Sequence, residues 1–178
     1  MFKVGDNVVY PHHGAGEVLD VTSREVDGEV KEYLTIRIIH NDMTVMVPVE
    51  AAEQAGIRAV VPEALVEEVE AVLRDDPSKM PKNWNRRYKH NREKIKTGDI
   101  FEVAEVVRNL ALRDSSKGLS TGEKQMFGRV KKILASELMY AKEIPESEAI
   151  AYLDGILEEI CYEAQRAEQA AQRAEQEG

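Results

Sequence analysis

Hydrophobic positions along the chain follow two different periods. Over residues 1–62 they fall in short β-like runs. Val8-Val9-Tyr10 follows the turn-like Gly5-Asp6, and Val18, Val21 and Val26 recur along the next segment, which ends at Asp27-Gly28. That dipeptide is a strong two-residue hairpin signal. Tyr33-Leu34-Thr35-Ile36-Arg37-Ile38-Ile39 is then β-branched and aromatic, Asn41-Asp42 supplies a turn, and Met43 to Val49 alternates into a strand stopped near Pro48. Four or five short strands in about fifty residues make a poor open sheet, so a small closed or half-closed barrel is expected.

From about Pro62 the period becomes helical. Ala64 to Leu73 sets Leu65, Val69 and Val72 on one face, and Asp75-Asp76-Pro77-Ser78 breaks the pattern. Asn83 can cap a helix running to about Lys96, and Thr97-Gly98-Asp99 ends it and opens the next. Asp99 and Glu102 have capping-box spacing, ahead of a buried stripe of Ile100, Val103, Val107 and Leu110. Gly118 suits a C-cap. Ser120 and Glu123 form a second box before Met126, Val130, Ile133 and Leu134. A last helix begins near Pro145 and buries Ala149, Tyr152, Leu153, Ile156, Leu157 and Ile160.

The pattern thus predicts an α+β chain: a β-barrel domain at 1–62, a compact all-helical domain at 63–164, and a polar tail at 165–178. The tail repeats AQRAEQA as AQRAEQE and has only alanine as an apolar residue. Without the Leu or Ile of a coiled-coil seam, it reads as a solvated, polar helical or frayed extension. No dimer seam is visible elsewhere, so a monomer is expected.

Composition narrows the class. A hydrophobic share of 43% with 32% charged residues fits a soluble globular protein. No apolar run approaches the roughly 18 residues of a membrane span, and no signal peptide opens the chain. A single cysteine, Cys161, excludes an internal disulfide and a Cys-rich zinc site, and points to a reducing cytoplasm. Cys161 lies on the apolar face of the last helix and reads as a small buried hydrophobe.

Charge changes the picture more. The net charge is −9, yet residues 79–96 hold eight Lys or Arg against one Glu, so the remainder carries −16. An acidic chain is poorly suited to non-specific DNA binding, because phosphate attraction sums over the whole surface. The basic segment surrounds the only tryptophan, in PKNWNRRYKHNREK. On a helix beginning after Asn83, Lys82, Arg86, Lys89 and Lys96 share a face, Arg87 and Lys94 broaden the basic surface, and Tyr88 and Ile95 point inward. Trp84, first residue of that helix, either turns into the core with Tyr88 or projects beside a cationic field. In the second case it could stack on a base or enter a minor groove. Lys124 stands in the first turn of its helix, the wrong end for a cation by the dipole rule. It is either a phosphate ligand or a screened surface lysine, with Arg129, Lys131 and Lys132 continuing the basic character.

Catalytic readings fail. Pro11-His12-His13-Gly14-Ala15-Gly16 lacks an acid or cysteine to complete a metal set, and lacks the helix and third glycine of a dinucleotide site. It reads as a tight turn. His40 and His90 are isolated, and the acidic pairs lie on solvated helix faces. No catalytic residue, metal or cofactor is expected.

Together FKVGDNVVYPHHGAGEV, MTVMVP, WNRRYKHNREKIKTGD, FEVAEVVRNL and GLSTGEKQM resemble the CarD family of bacterial transcription regulators, which includes the CdnL proteins. The resemblance covers about residues 2–142. It implies a Tudor-like β-barrel that binds the RNA polymerase β subunit, of a kind also found in the transcription-repair coupling factor. It also implies a helical domain that contacts promoter DNA at the upstream fork of the bubble. Residue by residue, it implies Trp84 as a minor-groove wedge, Arg86, Arg87, Lys89 and Lys124 as DNA contacts, and Arg24 as a polymerase contact. Met46 falls where some members carry another arginine, so an apolar polymerase contact through Met46 and Pro48 is expected. Such a regulator would stabilise the open complex and be cytoplasmic, nucleoid-associated through polymerase and free of membrane. The competing expectation is a protein–protein adaptor with Trp84 in its core and an acidic partner on the basic face.

Overall fold

The computed structural model describes residues 1–178. Strands β1 (Asn7–Tyr10), β2 (Gly14–Val26), β3 (Glu29–Ile38), β4 (Met43–Pro48) and β5 (Arg58–Ala59) form one antiparallel sheet in the order β4-β3-β2-β1-β5. The outermost strands, β4 and β5, do not pair with each other, so the expected small barrel is half-closed. Asp27 and Gly28, at φ 53° and 82°, join β2 to β3 directly beyond the Val26–Glu29 pair. Two positive φ angles define the type I′ turn that matches strand twist, which is why the dipeptide signals a hairpin. A register shift between Val18 and Asp20 bulges and bends β2.

Strand alternation puts Val18, Leu34, Ile36, Ile38 and Val47 inside, and α1 (Val49–Ala52) adds Ala52 to this core. The core holds 8 buried residues against 22 in the helical domain, so the sheet depends more on its neighbour for cover.

The helices are α2 (Val66–Arg74), α3 (Trp84–Lys96), α4 (Ile100–Ser116), α5 (Thr121–Lys142) and α6 (Glu146–Glu177). Their starts obey local chemistry. The Asn83 side chain accepts hydrogen bonds from the amides of Asn85 and Arg86, and that of Asp99 from Phe101 and Glu102. Ser120 and Glu123 cap α5 reciprocally. Gly118, at φ 77°, follows the α4 C-cap and donates to the Arg113 carbonyl at 3.0 Å. α4 is the central helix, packed by α2, α3, α5 and α6.

Two details depart from the sequence pattern. Leu65 belongs to a single 3-10 turn, Glu63–Leu65, and α2 buries Val66, Val69 and Leu73, turned by about one position from the expected stripe. Tyr152 is only half-buried, and its hydroxyl donates to Glu70 at 2.7 Å. Burial and that bond push its ionisation up to about 12. The tail takes the polar helical form: α6 runs on to Glu177, exposed over its last turns.

The PHHGAG turn does more than reverse the chain. Gly14, at φ 106°, brings the start of β2 against α5, where a Cβ would lie 3.2 Å from Ser136 Oγ. The Ala15 amide donates to that hydroxyl at 3.0 Å. Nearby, Arg58 of β5 grips Glu137 of α5 through two bonds of 2.6 and 2.9 Å and donates to the Gly98 carbonyl at 2.7 Å. Glu137 also accepts from the Val61 amide at 3.1 Å. The domains are therefore clasped by oriented, largely buried bonds.

Candidate nucleic-acid interface

At the N-terminus of α3, Trp84 is 49% exposed. The Asn83 cap fixes where the helix begins, and so the direction in which the indole leaves it. The core alternative for Trp84 is thereby removed. Tyr88, one turn on, is half-buried against the helical core, and Ile95 is buried.

Arg87 corrects the sequence reading. Rather than broadening the basic surface, it is 4% exposed and paired with Glu123, which is 0% exposed. Its Nε and Nη2 donate to the two carboxylate oxygens at 3.2 and 3.0 Å, and Nη1 donates to the Lys82 carbonyl at 2.6 Å. Burial opposes the charge on Glu123, but hydrogen bonds from Arg87 and Ser120 and the guanidinium charge outweigh it and hold the carboxyl below its ordinary range. Lys94 is likewise turned inward, 2.6 Å from Glu105.

The ion pairs of α3 involve only Arg87, Lys94 and Lys96, the last at 3.7 Å from Glu93. Exposed Arg86, Lys89 and Arg92, and Lys82 just before the helix, have no carboxylate partner. Exposed Lys124 has none either. The Arg87–Glu123 pair ties the first turns of α3 and α5 side by side. Trp84, three residues before Arg87, and Lys124, directly after Glu123, therefore sit at the same end of the helical domain. Two helix N-termini add partial positive charge there, favourable for an anion and unfavourable for the cations themselves.

Sequence reasoning missed Glu123 as more than a cap. It also missed Arg92, which extends the unpaired cations. The signal for Arg92 was present in its exposed-face spacing, whereas the Glu123 pairing spans 36 residues and has no local signature. Arg129 is exposed and donates to the His12 carbonyl at 2.7 Å, while Lys131 is taken by Asp154 at 2.6 Å. Burial and then the Arg129 charge lower the proton affinity of His12 and His13, and His40 is 2.7 Å from the His13 carbonyl, so these imidazoles belong to the joint between domains.

The sheet presents a second surface. Opposite its core, the register aligns Arg24 with Lys31, Thr22 with Tyr33 and Pro48, and Asp20 with Thr35 and Met46. Alternation places Arg24, Met46 and Pro48 on this one outer face. Met46 is 43% exposed, Arg24 is exposed and Pro48 half-buried. β4, which carries two of them, is an edge strand.

A sheet with an open edge is thus clasped to a helical domain that carries an exposed indole at one tip and unpaired cations along the same helix. Residues 2–61 match the CarD-like/TRCF RID domain, and residues 68–154 match the CarD C-terminal domain. A "Putative transcription factor YdeB" from Bacillus subtilis (strain 168) is 38% identical over 148 residues, 83% of this chain and 97% of that protein. The 72-residue N-terminal domain of Myxococcus xanthus CarD, solved by NMR, shares 34% identity, covering 33% of this chain and 79% of that one, with a TM-score of 0.29. The chain belongs to the CarD family. It is a transcription-associated factor, and factors of this family are not enzymes. No helix is long and apolar enough to cross a membrane.

Proposed function

We propose that the protein binds the RNA polymerase β subunit through its sheet and stabilises the open promoter complex by touching DNA at the upstream edge of the bubble. Trp84 is the wedge, Arg86, Lys89 and Lys124 hold flanking phosphates, and Arg24, Met46 and Pro48 meet polymerase beside the β4 edge. The observation that carries this reading is the exposed indole at a capped helix tip, on a helix whose exposed Arg86, Lys89 and Arg92 have no intramolecular carboxylate partner. The family of the N-terminal domain supports the polymerase contact, and an unpaired edge strand is a surface to which another strand can add.

The division of labour explains the charge pattern. A net charge of −9 weakens free binding to DNA, whereas attachment to polymerase raises the effective DNA concentration at the cationic end. Phosphate contacts then fix register, and the indole opposes re-annealing. About 1.4 kcal/mol from the wedge shifts a melting equilibrium tenfold. The adaptor alternative, an acidic partner on the basic face with Trp84 in the core, accounts less well for an indole that is 49% exposed.

The test is the lifetime of open complexes on a linear promoter with purified polymerase and no factor, wild type or Trp84→Ala. Wild type is expected to lengthen the lifetime, and Trp84→Ala to lose most of that gain while still binding polymerase. An equally effective folded variant would remove the wedge, and an inactive wild type would remove the whole proposal.

A further inference from the structure

A groove of about 200 Å³ runs between α3 and α5, with Ile95 and Val130 buried beneath it and Arg92, Gln125, Arg129 and His12 around it. A water needs only roughly 10–15 Å³ of such space, so the groove admits a group of several heavy atoms. No carboxylate lines it, although the chain has 33 acidic residues against 24 Lys and Arg. Its two guanidiniums are held differently. Exposed Arg92 has no partner within the protein. Arg129 donates from Nη2 to the His12 carbonyl at 2.7 Å, a bond that aims the side chain and leaves Nε and Nη1 open. His12 presents that carbonyl from a left-handed backbone, at φ 72°.

Positive charge converges here from three elements. Burial first, then Arg129 of α5, His13 of the turn, and Lys96 and Arg92 of α3 lower the proton affinity of His12. The cations that disfavour a charged imidazole at this point favour an anion. What lies beyond the groove selects the anion. Arg92 follows Lys89 by three residues and precedes Lys96 by four, so the three share one side of α3. Arg86 and Lys82 carry the unpaired charge on toward Trp84. A free phosphate would use only the groove, whereas a polymeric anion uses the whole row. A guanidinium fork also suits phosphate oxygens.

We propose that the groove seats one backbone phosphate of the promoter, held jointly by Arg92 and Arg129. These two residues belong to different helices, and Arg129 is oriented by the turn that enters the sheet, so the seat would place DNA contact next to the joint between domains. This inference rests on the reading that the helical domain meets promoter DNA and adds contacts to it.

The test is the affinity of the full chain, dye-labelled on its exposed C-terminal tail, for preassembled polymerase open complexes between about 50 and 200 mM salt. Arg92→Gln and Arg129→Gln are each expected to weaken binding about fivefold. The double variant should lower the salt slope by about one phosphate contact, since both side chains hold the same phosphate. Arg166→Gln, on the solvated tail helix, should change neither quantity. Circular dichroism checks the fold, and Arg92→Gln, which breaks no internal bond, carries the test if Arg129→Gln disturbs the joint. An unchanged slope in the double variant would overturn the seat, and a loss of about two contacts would overturn its sharing. Arg166→Gln acting as strongly would reduce the effect to overall charge. Weaker binding to polymerase alone by Arg92→Gln, with the slope unchanged, would assign the groove to an acidic protein surface instead. Lys89→Ala separates the two readings: if it lowers the slope and the double variant does not, the seat alone falls; if neither does, the DNA reading falls with it.

Discussion

Arg86 and Arg87 are neighbours in the chain and opposites in the molecule. Arg86 stands in solvent without a carboxylate partner, and Arg87 is sealed against Glu123. The same contrast separates the two faces of α3. One face uses positive charge to join helices, and the other holds Arg86, Lys89 and Arg92 free of internal obligations, while Trp84 is exposed at the helix tip. Residue type therefore says little about role here; the role follows from whether the protein has already supplied the counter-charge.

Substitution can break that comparison on its buried side first. Arg87→Ala leaves the Glu123 carboxylate buried and uncompensated, and is expected to cost about 3–5 kcal/mol in chemical denaturation. Arg87→Met combined with Glu123→Leu should recover much of the loss, since no buried charge then remains. A smaller effect comes from acid. The folded carboxyl of Glu123 titrates below its ordinary range, so its contribution is present above that range and lost as pH falls through the folded value. Denaturation midpoints measured down a pH series should show this loss in wild type and lack its Glu123 component in the double variant.

Between the two faces lies the cap. Asn83→Ala removes the acceptor for two amides and should cost about 1 kcal/mol in thermal unfolding. It should also blunt the open-complex effect, because Trp84 departs from that turn. The exposed face gives the smallest change in stability. Arg86→Ala and Lys89→Ala are expected within about 0.5 kcal/mol of wild type. Each should instead reduce the salt dependence of promoter-complex binding by about one phosphate contact.

How much of this was legible in the sequence depends on the range of the interaction. Asn83, Asp99 and the Ser120–Glu123 box announce helix starts because a cap bonds within three residues. Asp27-Gly28 announces its hairpin because the turn needs two positive φ angles. The cationic face and the residues 79–96 charge excess were equally visible. What stayed hidden was long-range: Arg87 with Glu123, Arg58 with Glu137, and Ser136 with the Ala15 amide. Helical spacing lists the residues on a face, but only the packed neighbour decides whether that face meets carboxylate or water. Met46 and Pro48 were readable as alternate residues of one strand, while their alignment with Arg24 required the register of three strands.

The clasp of Arg58, Glu137, Ser136 and the Gly14 turn has a mechanical consequence. A joint held by several directional bonds resists bending, so the span between sheet face and indole is closer to a ruler than to a tether. On the proposed reading, both ends can be engaged only while polymerase and the upstream fork keep one separation. When the enzyme advances along the DNA, the ruler cannot stretch, and one grip must let go. On that same reading, the stiffness would set a tripwire for release.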